Sequence, residues 1–241
     1  MLICMCGRYR LTAKERYIAE HFDLDGDVSV APRYNIAPTQ LATTLHQDPT
    51  EPRRTLSLMR WGLIPSWAKD ASIGARMINA VAESAAEKPA FREALNRRRC
   101  LVPADGFYEW QKLGGKEKQP FNFGLADDSL FAMAGLWDRW RDPAGQYINS
   151  FTILTTSANS LVAGVHDRMP VIVRLEDYEL WLDPGFNNPK AVTDLLKPFD
   201  ERSMKKYPVS TRLNRAENDD PECMREIVPA PPQPHTPSLF S

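Results

Sequence analysis

Apolar residues recur along this chain in short runs and not in long stripes, so the pattern predicts many short elements. Tyr17, Ile18 and Phe22 follow helical spacing behind Thr12, a residue able to cap, with Glu15 three places on; a short helix is predicted over 12–22. Turn residues dominate from 23 to 38. Residues 41–46 and 55–61 have strand-like content on either side of a turn that bears Pro and Asp. Residues 82–96 read as a helix broken near Pro89. β-Branched and aromatic content predicts strands at 100–103, 130–137 and 148–156. Ser157 or Asn159 is placed to cap a short helix ending near Gly164. A brief strand at 171–173 precedes helices at 175–182 and 191–198. Five prolines fall between 229 and 237, which predicts an extended tail. The expected assembly is α+β: a single domain over 1–228 with a curved, antiparallel, irregular barrel-like β core flanked by short helices, then a Pro-rich tail over 229–241.

Composition narrows the function classes. The chain has 241 residues, 43% of them hydrophobic, enough for a sizeable core. No apolar run approaches the roughly 18 residues of a membrane helix. The opening Met1-Leu2-Ile3-Cys4 is too short and uncharged for a secretory signal, so a cytoplasmic protein is expected. Cys4, Cys6, Cys100 and Cys223 have the spacing of neither a disulfide framework nor a zinc site, so free thiols, no metal and no cofactor are expected. A net charge of −1 argues against holding nucleic acid by bulk electrostatics. A local basic groove remains open, with Arg8, Arg10, Arg60, Lys69, Arg76 and the run Arg97-Arg98-Arg99 as candidates; a solvated surface charge is the plainer reading of most of them.

Four loop-like segments combine residues in unusual ways: Met5-Cys6-Gly7-Arg8-Tyr9; Arg33-Tyr34-Asn35-Ile36-Ala37-Pro38; Trp61-Gly62-Leu63-Ile64-Pro65-Ser66-Trp67 with Ile78-Asn79-Ala80; and Ala104-Asp105-Gly106-Phe107-Tyr108-Glu109-Trp110 with His166-Asp167-Arg168-Met169-Pro170. A thiol, a carboxyl among aromatics and a histidine at a turn suggest a nucleophile with acid–base partners. Each also has a bland reading, as core filler, strand surface or turn residue. Together and in this order, from about Met5 to about Val228, the segments resemble the SRAP family, once called SOS-response-associated peptidases and now understood as abasic-site processing proteins. The resemblance implies that Cys6 is the nucleophile and that Asn79, Glu109 and His166 complete the catalytic set. It points to single-stranded DNA as partner, with Arg8, Asn35, Trp61, Trp67 and Arg76 as DNA-binding candidates. One position departs from the family pattern: Val81 stands where an arginine that contacts phosphate is usual.

The implied chemistry suits these residues. An abasic site exists partly as an aldehyde, and an N-terminal cysteine can capture it first through its amine and then, by ring closure, through its thiol. The α-amine, with a pKa near ~7.7–8, is far more often neutral at pH 7 than a lysine. Arg8 is placed to poise the thiol. The aromatics around Glu109 should raise its pKa and let it donate a proton. His166 supplies a second proton-transfer group, Asn79 a neutral orienting one, and Trp61 and Trp67 surfaces for base stacking. Cys6 must first become residue one. Translation from Met5 followed by methionine removal is the preferred route, and self-cleavage after Met5 is the alternative. A cysteine peptidase built on Cys6, His166 and Glu109, and a non-catalytic single-strand binder, are the competing functions. The ending Ser238-Leu239-Phe240 partly resembles peptides that dock on the replication sliding clamp.

Overall fold

The computed structural model describes residues 6–26, 28–48, 51–115, 117–186 and 188–229. The sliding-clamp candidates Ser238, Leu239 and Phe240 lie outside the described residues. Thirteen strands are found among those described: β1 (Arg8–Leu11), β2 (Arg33–Ile36), β3 (Leu41–Asp48), β4 (Glu51–Trp61), β5 (Asn79–Val81), β6 (Arg99–Ala104), β7 (Gly106–Gly114), β8 (Glu117–Leu125), β9 (Phe131–Arg141), β10 (Tyr147–Ser157), β11 (Arg168–Pro170), β12 (Ile172–Val173) and β13 (Met204–Pro208).

They form two sheets. The larger runs β11-β10-β4-β3-β6-β9-β12, and a further pairing of β9 with β10 closes five of its strands into a ring. Closure removes the open edges that a sheet otherwise presents. Most ladders are antiparallel, as expected, but the ring closes through a parallel pairing of β4 with β10, and β5 continues along the same strand, also parallel. The second sheet has the order β13-β8-β7-β1-β2 and is antiparallel throughout. A shared apolar core joins the two sheets. Tyr9 of β1 meets Trp61 of β4 edge-on at 5.2 Å between ring centroids, and Trp61 stacks over Phe151 of β10 at 6.4 Å.

The hairpin of β3 and β4, the strands at 99–104, 131–141 and 147–157, and the helix Ser160–Ala163 capped by Asn159 agree with the sequence pattern. The helix broken near Pro89 is likewise found, as Ala82–Ala85 and Arg92–Arg97. Other elements differ. The first helix starts at Glu15 without a side-chain cap, because Thr12 is used elsewhere: its amide and its hydroxyl donate to Asp105 Oδ2 at 2.6 and 2.8 Å. The helices expected at 175–182 and 191–198 are shorter, at Tyr178–Leu182 and Pro189–Asp194, with a tight turn at Leu175–Asp177 before the first.

The largest difference is the second sheet. Residues that read as parts of loops, 8–9, 33–36 and 106–110, lie in β1, β2 and β7. Residues 106–109 are all buried, so apolar and polar positions do not alternate along β7. One side of this sheet faces the main core. The other is covered by residues 209–226, where Val209, Leu213 and Cys223 pack with Tyr108, Tyr34 and Trp110. Among the described residues no helix is long and apolar enough to cross a membrane.

Candidate active site

Strand register assembles the centre of the site. Arg8 pairs with Tyr108 across the antiparallel β1–β7 ladder, so the chain entering β1 runs beside the middle of β7. The Cys6 main-chain nitrogen then donates to Glu109 Oε1 at 2.7 Å. Cys6 is fully buried and has a φ of 35°, a left-handed value that costs a residue with a side chain free energy. Glu109 is 1% exposed. Its carboxyl is pushed up to about 8, chiefly because burial penalises the anion; the Cys6 N–H opposes that rise, the Asp167 charge adds to it, and Lys118 opposes it. Asn79 opens β5, whose parallel pairing sets it opposite Ile153 of β10. From there Asn79 Nδ2 donates to the Cys6 carbonyl at 3.4 Å. Cys6 is thus gripped on its nitrogen side by a protonatable carboxyl and on its carbonyl side by a neutral amide.

His166 follows the helix Ser160–Ala163, and its amide donates to Val162 O at 2.9 Å. Gln111 Nε2 donates to Gly164 O at 3.1 Å, which ties this loop to β7 two residues beyond Glu109. The Asp167 carbonyl accepts from Ala158 N at 3.0 Å. The ring of His166 is mostly buried; Nδ1 accepts the Arg168 N–H at 3.1 Å and lies 3.1 Å from Asp167 Oδ1. Direct hydrogen bonds therefore join Cys6, Glu109 and Asn79. His166 is joined to them through Gln111 and through the field of Asp167 at Glu109.

The proposed DNA contacts divide by burial. Trp67 is 60% exposed on a loop pinned from beneath. Ile64 N donates to Ser150 Oγ, Ser66 N to Asp138 Oδ2, and Trp140 Nε1 to Ala68 O. Gly62 lets this loop start: its φ is 125°, and a Cβ there would lie 2.5 Å from Gly74 O. Arg8 folds its guanidinium onto Gly7 O at 2.9 Å beside Cys6, and Arg76 is exposed at the end of the turn Ala71–Arg76.

Trp61 and Asn35 need correction. Trp61 is fully buried and spends its Nε1–H on Ile78 O, so no base can stack on it. Asn35 is fully buried, and its amide donates to the Leu213, Arg215 and Asn218 carbonyls; it pins the covering segment to β2. Arg10 and Arg99 also leave the basic groove. Arg10 pairs with buried Asp105, and Arg99 donates to the Leu95, Asn96, Trp181 and Asp183 carbonyls. Glu83 and Arg168 pair at the border of the site; Arg168 lies within the segment 166–170 and Glu83 three residues after the segment 78–80, and neither is among the sequence-based site candidates.

Comparisons with known proteins show what the chain and its fold are similar to. The family model described as SOS response associated peptidase (SRAP) matches residues 5–216. The chain is 43% identical over 221 residues to the abasic site processing protein YoqW of Bacillus subtilis, covering 90% of this chain and 98% of that one. It is 32% identical over 233 residues to the abasic site processing protein HMCES of Xenopus tropicalis, covering 85% of this chain and 69% of that one. A crystal structure of a protein from Bacteroides thetaiotaomicron superposes with a TM-score of 0.82 at 30% identity, covering 92% of this chain and all of the other. The chain belongs to the SRAP family.

Proposed function

We propose that this protein processes abasic sites in single-stranded DNA by forming a covalent bond through Cys6, once Cys6 is the first residue. The observation that carries the reading is the 2.7 Å contact between the Cys6 nitrogen and a buried Glu109 carboxyl pushed up to about 8. In the processed chain that nitrogen is the α-amine. Glu109 can protonate the ring oxygen of the closed sugar and open it to the aldehyde. The amine adds to the aldehyde carbon, water leaves, and an imine forms. The thiol then adds to the imine carbon while its proton passes to nitrogen, giving a thiazolidine; one water is lost in all. Asn79 holds the Cys6 carbonyl and so sets the direction in which amine and thiol face. His166 supplies a second proton-transfer group, and Trp67, Arg8 and Arg76 supply stacking and phosphate contacts. Mature protein beginning at Cys6 should give a heat-stable band shift with an oligonucleotide holding one abasic site. Protein retaining residues 1–5 should not. Absence of a shifted band with the processed chain would refute the reading.

A second activity, self-cleavage before Cys6, is favoured by the left-handed φ of Cys6 together with the same Glu109 contact. The torsion exists only while a residue precedes Cys6, so hydrolysis of that peptide bond removes its cost: water adds to the preceding carbonyl carbon, the C–N bond breaks to leave a carboxyl group, and Glu109 can protonate the departing nitrogen. Incubating chain with residues 1–5 and following its intact mass tests this; no loss of those residues refutes it. A finer partner rests on sequence alone. A peptide of residues 229–241 should bind the sliding clamp at micromolar strength and lose it on changing Leu239 and Phe240 to Ala. No binding at high concentration would remove the clamp.

A further inference from the structure

Glu83 and Arg168 have no part in the steps above, yet they form a bidentate pair beside them. Arg168 Nη1 donates to Glu83 Oε1 at 2.8 Å and Nη2 to Glu83 Oε2 at 2.6 Å. Nη2 also donates to the Thr155 carbonyl at 2.6 Å. A planar guanidinium held by three acceptors has one orientation. The pair ties together two segments that bear site residues. Glu83 lies in the helix Ala82–Ala85, which directly follows β5 and Asn79; Arg168 opens β11, two residues after His166. Both segments are paired to β10 at the same place, with Thr155 opposite Val81 and opposite Pro170.

The consequence falls on the imidazole. The Arg168 main-chain N–H, fixed by that side chain and by the β10–β11 ladder, donates to His166 Nδ1 at 3.1 Å. A ring nitrogen that accepts a hydrogen bond carries no proton, so the neutral ring carries its proton on Nε2. Asp167 Oδ1 is also 3.1 Å from Nδ1 and would accept a hydrogen bond from a ring protonated there, so Asp167 and the Arg168 N–H favour opposite tautomers. Where the Arg168 N–H holds Nδ1, the ring presents an N–H at Nε2 whether neutral or charged.

We propose that Glu83 and Arg168 are positioning residues for His166, whose ion pair holds the Arg168 N–H on Nδ1 and locks the neutral ring as the Nε2–H tautomer. On the abasic-site reading, on which this role rests, His166 then gives a proton or hydrogen bond to the sugar and does not take one through Nε2. Long-range proton–nitrogen NMR correlation on the full chain, with the His166 signals assigned from His166→Gln, reads the tautomer without DNA. Wild type should show a protonated Nε2 and a bare Nδ1 at a pH where the ring is neutral. Glu83→Ala should give mixed tautomers and slow adduct formation by at least about 10-fold, with affinity for undamaged single strands unchanged. Glu83→Gln, which keeps one hydrogen bond to Arg168, should recover most of both. A wild-type ring protonated on Nδ1, an unchanged tautomer in Glu83→Ala, or a changed tautomer with an unchanged rate would each overturn the proposal. If wild type forms no adduct, the abasic-site reading fails, and the tautomer measurement still decides whether Glu83 and Arg168 set the ring.

Discussion

Asp105 and Glu109 are buried carboxyl groups four residues apart, 7% and 1% exposed, and their surroundings give them opposite roles. Asp105 faces a guanidinium: Arg10 Nη1 is 2.6 Å from Oδ1, while Thr12 gives its amide and its hydroxyl to Oδ2. Arg10 in turn donates to Asn122 Oδ1 at 3.1 Å. Gly106 makes room for this clamp, since a Cβ there would lie 2.6 Å from Arg10 Nε. Glu109 instead faces the Cys6 nitrogen, with Phe107 two residues before it on β7 and Phe121 opposite it on β8. A carboxylate matched to a buried cation and two further donors holds a fold in place. One that is desolvated beside a neutral donor keeps a proton it can give away.

Exchanging the roles should fail in measurable ways. The largest effect is expected from Glu109→Gln: adduct formation should slow on the order of 10²–10⁴-fold while single-strand affinity holds. Equal losses in rate and affinity would make Glu109 structural, like Asp105. Asp105→Asn should do the reverse. Breaking the buried pair should lower stability by ~3–5 kcal/mol in urea unfolding, while the protein that remains folded reacts at close to the wild-type rate.

A pH series separates the two groups further. In chain that retains the residues before Cys6, the folded pKa of Glu109 is raised from 4.5 to about 8. The folded state thus holds a proton that the unfolded state has lost between those values, so this group makes stability fall as pH rises from about 4.5 to about 8. Below that window the group adds no pH dependence, and above it the full penalty is present. Glu109→Gln should remove this slope; a slope of the same size in the variant would place the titration elsewhere. The smallest effect concerns the tryptophans. Trp67→Ala should weaken single-strand binding by ~1–3 kcal/mol and leave stability unchanged. Trp61→Ala should act on stability instead, and an affinity loss confined to Trp61 would contradict its burial.

The two sheets differ in how far the sequence discloses them. Strands of the closed ring have β-branched and aromatic runs bounded by turn residues, and 99–104, 131–141 and 147–157 are legible from these alone. The second sheet is hidden because its pattern is set by contacts distant in sequence. β7 is covered on one side by the core and on the other by residues 209–226, β8 contains Pro120, and β13 reads Met-Lys-Lys-Tyr-Pro. Thr12 looks like a helix cap until Asp105 takes its hydroxyl. Cys6, Asn79, Glu109 and His166 could be named from motifs, and Glu109 is buried as expected, although adjacent Tyr108 and Trp110 face the covering segment and Phe121 of β8 lies opposite it. Which motif residues are scaffold could not be read locally, because Asn35 and Trp61 acquire their partners, Asn218 and Ile78 among them, only on folding.

The central claim is that the Cys6 amine and thiol together take up the aldehyde beside Glu109. Mass spectrometry of the isolated adduct between chain starting at Cys6 and an abasic oligonucleotide tests it most directly. The account predicts the sum of the two masses less one water, with the added mass on the peptide that begins at Cys6. An adduct on a lysine, or one formed equally well when residues 1–5 are still attached, would contradict it.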